Sequence, residues 1–389
     1  MRIALVHTRY RQRGGEEVAF EAEARLLASR GHDVHVIATE NSELDGVLAA
    51  RAGMLTVWNE GRRQQLAEQL RAIGPDIVHF HNTFPLLSPA VCYAVPRRAA
   101  AVQTLHNYRL VCPAATLMRG AAPCEACVGR APVAAIRHGC YRGSRLASAA
   151  VAAMLQLHRV AGTWTDHVDA FIALTAFARR VFVRGGLPAD RLYVKPNFID
   201  PDPGIGAHER ANYLFVGRLD KEKGVRVLVE AFSRARLPLN IIGAGPLEPD
   251  VRAAAAAADN ITYLGAQPRE RVLAEMRAAR ALVIPSVCYE NFPFVVVEAL
   301  ATGLPVISSD LPNLKALVAE RGAGWSFRTG DAIDLARVVE MVDASINERH
   351  DKSLAARQLY EAEYTGSVNG GHLERIYKAA KRRRQAQLA

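Results

Sequence analysis

The chain has 389 residues, half of them hydrophobic and 23% charged, which is a globular composition with length enough for two domains. No apolar run approaches the ~18 residues needed to cross a bilayer. The opening "MRIALVH" reads as a strand rather than a charged leader, so the expectation is a cytoplasmic protein. The formal net charge of +10 reads either as a solvated surface rich in arginine or as suited to a polyanionic partner, such as a diphosphate ligand or an anionic membrane surface. Nucleic acid is not expected. The densest basic cluster, "KAAKRRRQAQLA" at 378–389, lacks interleaved aromatics, and no nucleic-acid motif accompanies it.

Apolar runs alternate with helical periodicity along most of the chain. "RIALVH" (2–7) predicts a buried strand. "EEVAFEAEARLLASRG" (16–31) predicts a helix stopped by Gly31. Further strands are expected at 33–38, 75–81 and 100–106, with a helix at 62–73. This β-α-β rhythm implies a parallel sheet covered on both faces. The rhythm breaks over 107–165, which reads as an insertion holding four of the six cysteines and the helical stretch "SRLASAAVAAMLQLHRVAG". It restarts with strands at 212–217, 237–243, 260–265, 279–285 and 304–309. The alanine run 253–258 fits an ordinary helix. The Pro- and Gly-rich segment 195–211 marks the boundary. The expectation is therefore an α/β protein of two doubly wound domains, with ligands at the carboxyl ends of their strands.

Several motifs sit at those strand ends. In "RYRQRGGEEVAF", Gly14 and Gly15 lie between the first strand and first helix, where backbone N–H groups can face a ligand. Glu16 and Glu17 favour the helix dipole. "VHFHNTF" and "TLHNYR" bring His79, His81 and His106 to or near the ends of two strands. Adjacent parallel strands would deliver them to one sheet edge. In "FVGRLDKEKGVRVLVEAF" a strand ends at Gly217, Arg218 and Lys223 follow in a loop, and Gly224 opens a helix. Two cations at a helix N-terminus make a phosphate site. "IIGAGPLEPD" places Gly243 and Gly245 at another strand-to-helix turn, without the third glycine of a dinucleotide fingerprint. In "PSVCYENFPFVVVEALATGLPVISSD", Glu290 and Glu298 stand eight residues apart, a little over two helical turns. If the segment after Phe292 is helical, both carboxylates lie toward one side of it.

The cysteines read Cys112-x11-Cys124-x2-Cys127-x12-Cys140. The "CEAC" pair has the chelating spacing of zinc ligands, and a structural zinc would staple an insertion too small for its own core. Free thiols, an iron–sulfur cluster and a disulfide are the other readings, the last disfavoured in the cytosol. Cys92 and Cys288 read as core residues.

Taken in order, the Gly-Gly-x-Glu loop, the histidine after a middle strand, Gly-Arg-Leu-x-x-x-Lys-Gly, Gly-x-Gly-Pro and Glu-x7-Glu resemble the retaining GT-B glycosyltransferases of the large group-1 class (family 4). The resemblance spans nearly the whole chain and is most specific over 212–310. It implies two Rossmann-like domains facing a cleft. The first, 1–200, would be the acceptor side and carry the insertion 107–165, with a C-terminal helix, 367–386, packing back on it. The second, 201–366, would bind the donor. The resemblance also implies a sugar transferred from a nucleotide diphosphate sugar to a saccharide or lipid-linked acceptor, without a catalytic metal. Arg218 and Lys223 would neutralise the diphosphate. Glu298 would hold the ribose hydroxyls. Glu290 would hold the sugar, beside the backbone of Asn291, Phe292 and Pro293. His106 would lie near the anomeric centre, and Gly15 would approach the phosphate or acceptor. Gly217, Gly243 and Gly245 would let backbone near the donor. Many relatives have Glu-Gly-Phe where this chain has Glu290-Asn291-Phe292. The alternatives are a phosphorylase or epimerase on the same fold, or a non-catalytic nucleotide-sugar-binding or assembly protein.

Overall fold

The computed structural model describes residues 1–10, 14–120, 122–206 and 211–389. The chain divides into two compact units. One comprises Met1–Leu117, Cys124–Pro196 and Ser367–Ala389; the other comprises Met118–Pro123 and Asn197–Gly366. The division counts a short hairpin of the 107–165 segment, β5 (Met118–Arg119) and β6 (Ala122–Pro123), with the second unit rather than the first.

In the first unit, β1 (Arg2–Arg9), β2 (Asp33–Glu40), β3 (Ile77–Phe80), β4 (Ala100–Leu105), β7 (Ala170–Ala173) and β8 (Leu192–Val194) form a sheet of order β2-β1-β3-β4-β7-β8. Every neighbouring pair is parallel. Strands β1, β3 and β4 are buried along their interiors because helices cover both faces of a parallel sheet, which is why they read as unbroken apolar runs. The edge strand β2 is largely exposed in alternation. The helix α1 (Gly15–Ser29) and the C-terminal helix Gly366–Leu388 share a core with this sheet. Leu373, Ile376, Tyr377 and Ala380, spaced as one helical face, pack with Ile3, Leu5, Phe20 and Leu27.

The second sheet contains β9 (Asn212–Val216), β10 (Leu239–Ile242), β11 (Ile261–Gly265), β12 (Ala279–Ile284), β13 (Val306–Ser309) and β14 (Gly324–Phe327), in the order β11-β10-β9-β12-β13-β14. Counted from its own first strand this is 3-2-1-4-5-6, the order of dinucleotide-binding folds. The chain leaves β9 and β12 toward opposite sides, so a crevice opens at their carboxyl ends. In the first sheet the corresponding switch lies between β1 and β3. β7, β8 and β14 have only three or four residues each, too few to announce a period in the sequence. Among the described residues, no helix is long and apolar enough to cross a membrane.

Candidate active site

In the second unit the loops after β9 and β12 flank the switch point. Past Gly217 the first loop pairs with the loop after β10. Gly217 N–H donates to Ile242 O at 3.0 Å and Leu219 N–H to Ala244 O at 2.9 Å. The two backbones are so close that a Cβ on Gly243 would meet Gly217 O at 1.8 Å, and one on Gly245 would meet Leu219 O at 2.5 Å. This explains both glycines: any side chain would part the loops. Asp220 then caps a short turn, Lys221–Lys223, by accepting from Lys223 N–H. Gly224, at φ +68°, begins the helix Val225–Ala235 against the carbonyl of Pro285. Val287 N–H donates to Glu222 O at 2.9 Å, which fastens this loop to the one after β12.

That second loop carries Glu290. Its Oε1 lies 2.5 Å from Lys223 Nζ and accepts from Ser286 Oγ at 2.7 Å, while its carbonyl accepts from Asn313 Nδ2. Burial disfavours the charge on Glu290, but the ammonium outweighs it and holds the carboxyl below its usual range. Burial also opposes the charge on Lys223, and the carboxylate carries that ammonium upward instead. Arg218 is more exposed and pairs with Asp220 at 3.1 Å and Glu222 at 3.7 Å.

The segment after Phe292 is helical, as expected, and it carries only one of the two acids. The helix spans Phe294–Ala301, so Glu290 precedes it in the loop and only Glu298 is helical. Pro293 is the helix's N-cap in extended backbone, and a proline disfavours helical backbone at the residue before it, so the helix starts after Glu290. The two acids also have separate partners. Glu298 Oε1 lies 3.1 Å from Arg269 Nε, and burial, only partly offset by Arg269, raises its carboxyl. Phe292 is buried, with its ring 6.0 Å from that of Tyr364. Ser286, Arg269 and Asn313 were not singled out from sequence. Ser286 follows a strand end, a usable signal, whereas Asn313 reaches Glu290 only through the fold.

In the first unit, Gly15 is the first residue of α1. Glu17 folds back on the loop before it, accepting from Gly14 N–H at 2.8 Å and Tyr10 N–H at 2.9 Å. Burial opposes its ionisation, yet His7 and these backbone donors hold it down at about 2. Glu16 turns the other way and accepts from Asn107 Nδ2 at 2.8 Å. Burial pushes its carboxyl up to about 7. β3 and β4 are neighbours, and the loops beyond them bring His81 Nδ1 to 2.9 Å from His106 Nε2. His79 is buried within β3 between Tyr377 Oη and Thr104 Oγ1, each at 2.8 Å.

No disulfide joins any of the six cysteines. Cys112 is buried, and Cys124, Cys127 and Cys140 are half-buried. Burial raises the Cys127 thiol; the Ala135 N–H bound to it opposes this, and the sulfurs of Cys112, Cys140 and Cys124 add to it. Among the described residues, the three or more potential ligand atoms that converge within 4.8 Å belong to Glu23, His79 and His81, so no three of the cysteine sulfurs come that close together.

Residues 210–342 match the model of glycosyl transferases group 1, and residues 13–203 match that of glycosyltransferase family 4. An amylovoran biosynthesis glycosyltransferase of Erwinia amylovora is 28% identical over 201 residues, 47% of this chain and 49% of that protein. A phosphatidyl-myo-inositol mannosyltransferase of Mycobacterium leprae is 29% identical over 230 residues, 55% of this chain and 60% of that protein. The matches thus span about half the length of these curated relatives. Among solved structures, a sucrose-phosphate synthase from Thermosynechococcus elongatus superposes with TM-score 0.69 at 19% identity, covering 97% of this chain and 98% of that one. Anabaena HepE in complex with UDP superposes with TM-score 0.68 at 13% identity, covering 97% and 100%. These two structures share the fold.

Proposed function

The chain belongs to the group 1 glycosyltransferases of GT-B fold, and on that premise we propose that it moves a sugar from a nucleotide diphosphate sugar to an acceptor hydroxyl, with retention, in polysaccharide or glycolipid synthesis. The observation that carries this reading is the Lys223–Glu290 pair, 2.5 Å apart beside the switch point of the second sheet. Breaking a sugar–phosphate bond places negative charge on the departing diphosphate and positive charge on the sugar ring. Lys223, Arg218 and the N-terminus of the helix Val225–Ala235 supply fixed positive charge for the former, the kind of preorganised stabilisation that contributes most to catalysis. No divalent cation is needed in this scheme. Glu290 holds the sugar hydroxyls with the backbone of Asn291, Phe292 and Pro293, and Glu298 holds the ribose. His106 and Gly15 are assigned to the reacting end by the family resemblance. The acceptor hydroxyl attacks from the leaving-group side and gives its proton to a phosphate oxygen.

The acceptor is a saccharide or a lipid-linked saccharide, in keeping with the relatives' names. The basic C-terminal stretch 378–389 suits contact with an anionic membrane surface from the cytoplasmic side. We further propose that Cys112, Cys124, Cys127 and Cys140 hold a structural zinc. The four thiols fit the metal chemically and act on one another electrostatically, and binding would draw the sulfurs together.

The test is a panel of UDP-, GDP-, ADP- and TDP-sugars with EDTA present, read by thermal stabilisation and by release of nucleotide diphosphate. One base class should stabilise the protein, by about 2.7 kcal/mol at a hundred times Kd, and be slowly hydrolysed. Folded protein that no donor stabilises overturns the proposal.

A further inference from the structure

A buried polar chain runs beneath His106. His81 Nδ1 is 2.9 Å from His106 Nε2, and the two rings stack with centroids 5.1 Å apart. The other nitrogen of His81, Nε2, faces Glu23 Oε1 at 3.5 Å, a long contact without hydrogen-bond alignment, and His79 Nδ1 lies nearer the same oxygen at 3.2 Å. Glu23 Oε2 lies 2.9 Å from Lys195 Nζ, which also donates to Asn369 Oδ1 at 2.9 Å. Glu23, His81 and Lys195 are all almost fully buried, whereas His106 is half-buried.

Glu23, His79 and His81 place three potential ligand atoms within 4.8 Å of one another. A metal ion there would share its only carboxylate with the Lys195 ammonium, which already neutralises it. The arrangement instead orders protons. Glu23 is ionised, because Lys195, His79 and His81 overcome the burial that opposes its charge. A carboxylate can only accept, so the His81 nitrogen facing it carries the proton. Burial keeps His81 neutral, its acidity shifted to about 4, so its Nδ1 is bare. Nδ1 must then accept from His106 Nε2–H. Burial likewise keeps His106 neutral, which leaves its own Nδ1 as a lone pair.

We propose that Glu23 and His81 are positioning residues that fix His106 as the Nε2–H tautomer, so that its Nδ1 presents an acceptor to a substrate hydroxyl. The part played by the substrate rests on the proposed transfer reaction; the tautomer does not. In the proposed order Lys195, His79 and His81 point protons at Glu23 and His106 donates to His81, so one carboxylate sets the direction of the His81–His106 pair.

The direction can be reversed by one atom. In Glu23→Gln, Lys195 still requires an acceptor and keeps the amide oxygen, which turns the amide NH2 toward His81 Nε2. His81 must then accept there, carry its proton on Nδ1 and donate to His106 Nε2. His106 becomes the Nδ1–H tautomer and loses its acceptor.

The experiment is long-range 1H–15N correlation on the full-length protein labelled at histidine nitrogen, at pH 7.5 without substrate, with His106 assigned by His106→Gln. The expected result is His106 protonated at Nε2 in wild type and at Nδ1 in Glu23→Gln. Alongside, donor turnover by Glu23→Gln should fall at least about tenfold in kcat with a smaller change in KM, as expected for a mis-set tautomer. His106 protonated at Nδ1 in wild type overturns the proposal, and this reading needs no variant to fold. An unchanged His106 tautomer in folded Glu23→Gln also overturns it. Because the spectra are taken without donor, they decide the tautomer even if the donor panel refutes glycosyl transfer.

Discussion

Lys223 and Glu290, 67 positions apart in sequence, are joined by one contact of 2.5 Å at the switch point of the second sheet. Their side chains keep only 24% and 11% of their exposure. Each ion therefore depends on the other for what solvent no longer supplies. Lys223→Ala leaves a carboxylate in a largely dry site with Ser286 as its remaining side-chain donor, and Glu290→Ala leaves an ammonium. Each single variant should lose about 1–3 kcal/mol of stability, and the double variant should lose less than the sum. Urea unfolding of the four proteins measures this directly. Donor turnover should fall by about 10²–10³ in either single variant. Wild-type turnover by Lys223→Ala would refute the site.

How much of this was legible in the sequence depends on the length scale of the signal. The buried strands β1, β4, β9 and β12 were readable because a parallel sheet leaves apolar runs. Arg218, Lys223 and Gly224 were readable because they follow one another in a single loop. The helix after Phe292 was readable, but the separate partners of Glu290 and Glu298 were not. Period alone cannot show that Pro293 starts the helix after Glu290, so that each acid acquires its own cation. Glu23 could not be found at all. It reads as a charge on an amphipathic helix, and only the pairing of β3 with β4 and the packing of α1 bring His81, Lys195 and Asn369 to it.

The paired loops after β9 and β10 predict a difference between two glycines that look alike in sequence. Gly243 has φ +146°, and a Cβ there meets Gly217 O at 1.8 Å. Gly265 has φ +70° with nothing within 4 Å of the same atom. Gly265→Ala should cost about 1–2 kcal/mol, the left-handed backbone alone. Gly243→Ala must push the β9 loop aside, and should add about 1–3 kcal/mol of overpacking and abolish thermal stabilisation by the donor. Equal donor response in the two variants would show that the loop contact does not shape the site.

Glu16 predicts a pH dependence of known sign. Burial raises its carboxyl from 4.5 to about 7, with the charge of Glu17 acting in the same direction and Asn107 and Arg109 against. Between those values the folded chain holds a proton that the unfolded chain has released, so this group lowers stability as pH rises from about 4.5 to 7. His81 acts oppositely in a similar window. Its folded value of about 4 lies below the ordinary 6.5, so its contribution is lost as pH falls. The difference between Glu16→Gln and wild type removes the histidine effect. Glu16→Gln keeps an acceptor for Asn107 and should match wild type below pH 4.5 and exceed it above pH 7. Parallel stability curves across that range would place the Glu16 carboxyl at its ordinary value.

The cysteine cluster gives a prediction that does not involve the active site. Cys112, Cys124, Cys127 and Cys140 lie on a segment rich in left-handed turns, with Ala115, Leu117, Gly120, Gly129, Gly139, Arg142 and Gly143 all at positive φ. Such backbone contributes little apolar burial of its own, so an added constraint is worth more there than in a packed sheet. Four thiolates around zinc would supply it. Zinc should be present at about one ion per chain in protein purified without chelator. Cys127→Ser should lose the metal and lower the thermal midpoint, whereas Cys92→Ser, in a separate buried turn, should leave zinc content unchanged. The Ala135 N–H that now points at the Cys127 sulfur would stabilise its thiolate when the metal binds. Less than about half an ion per chain, with all four thiols titrating as reduced, would assign these cysteines to ordinary packing instead.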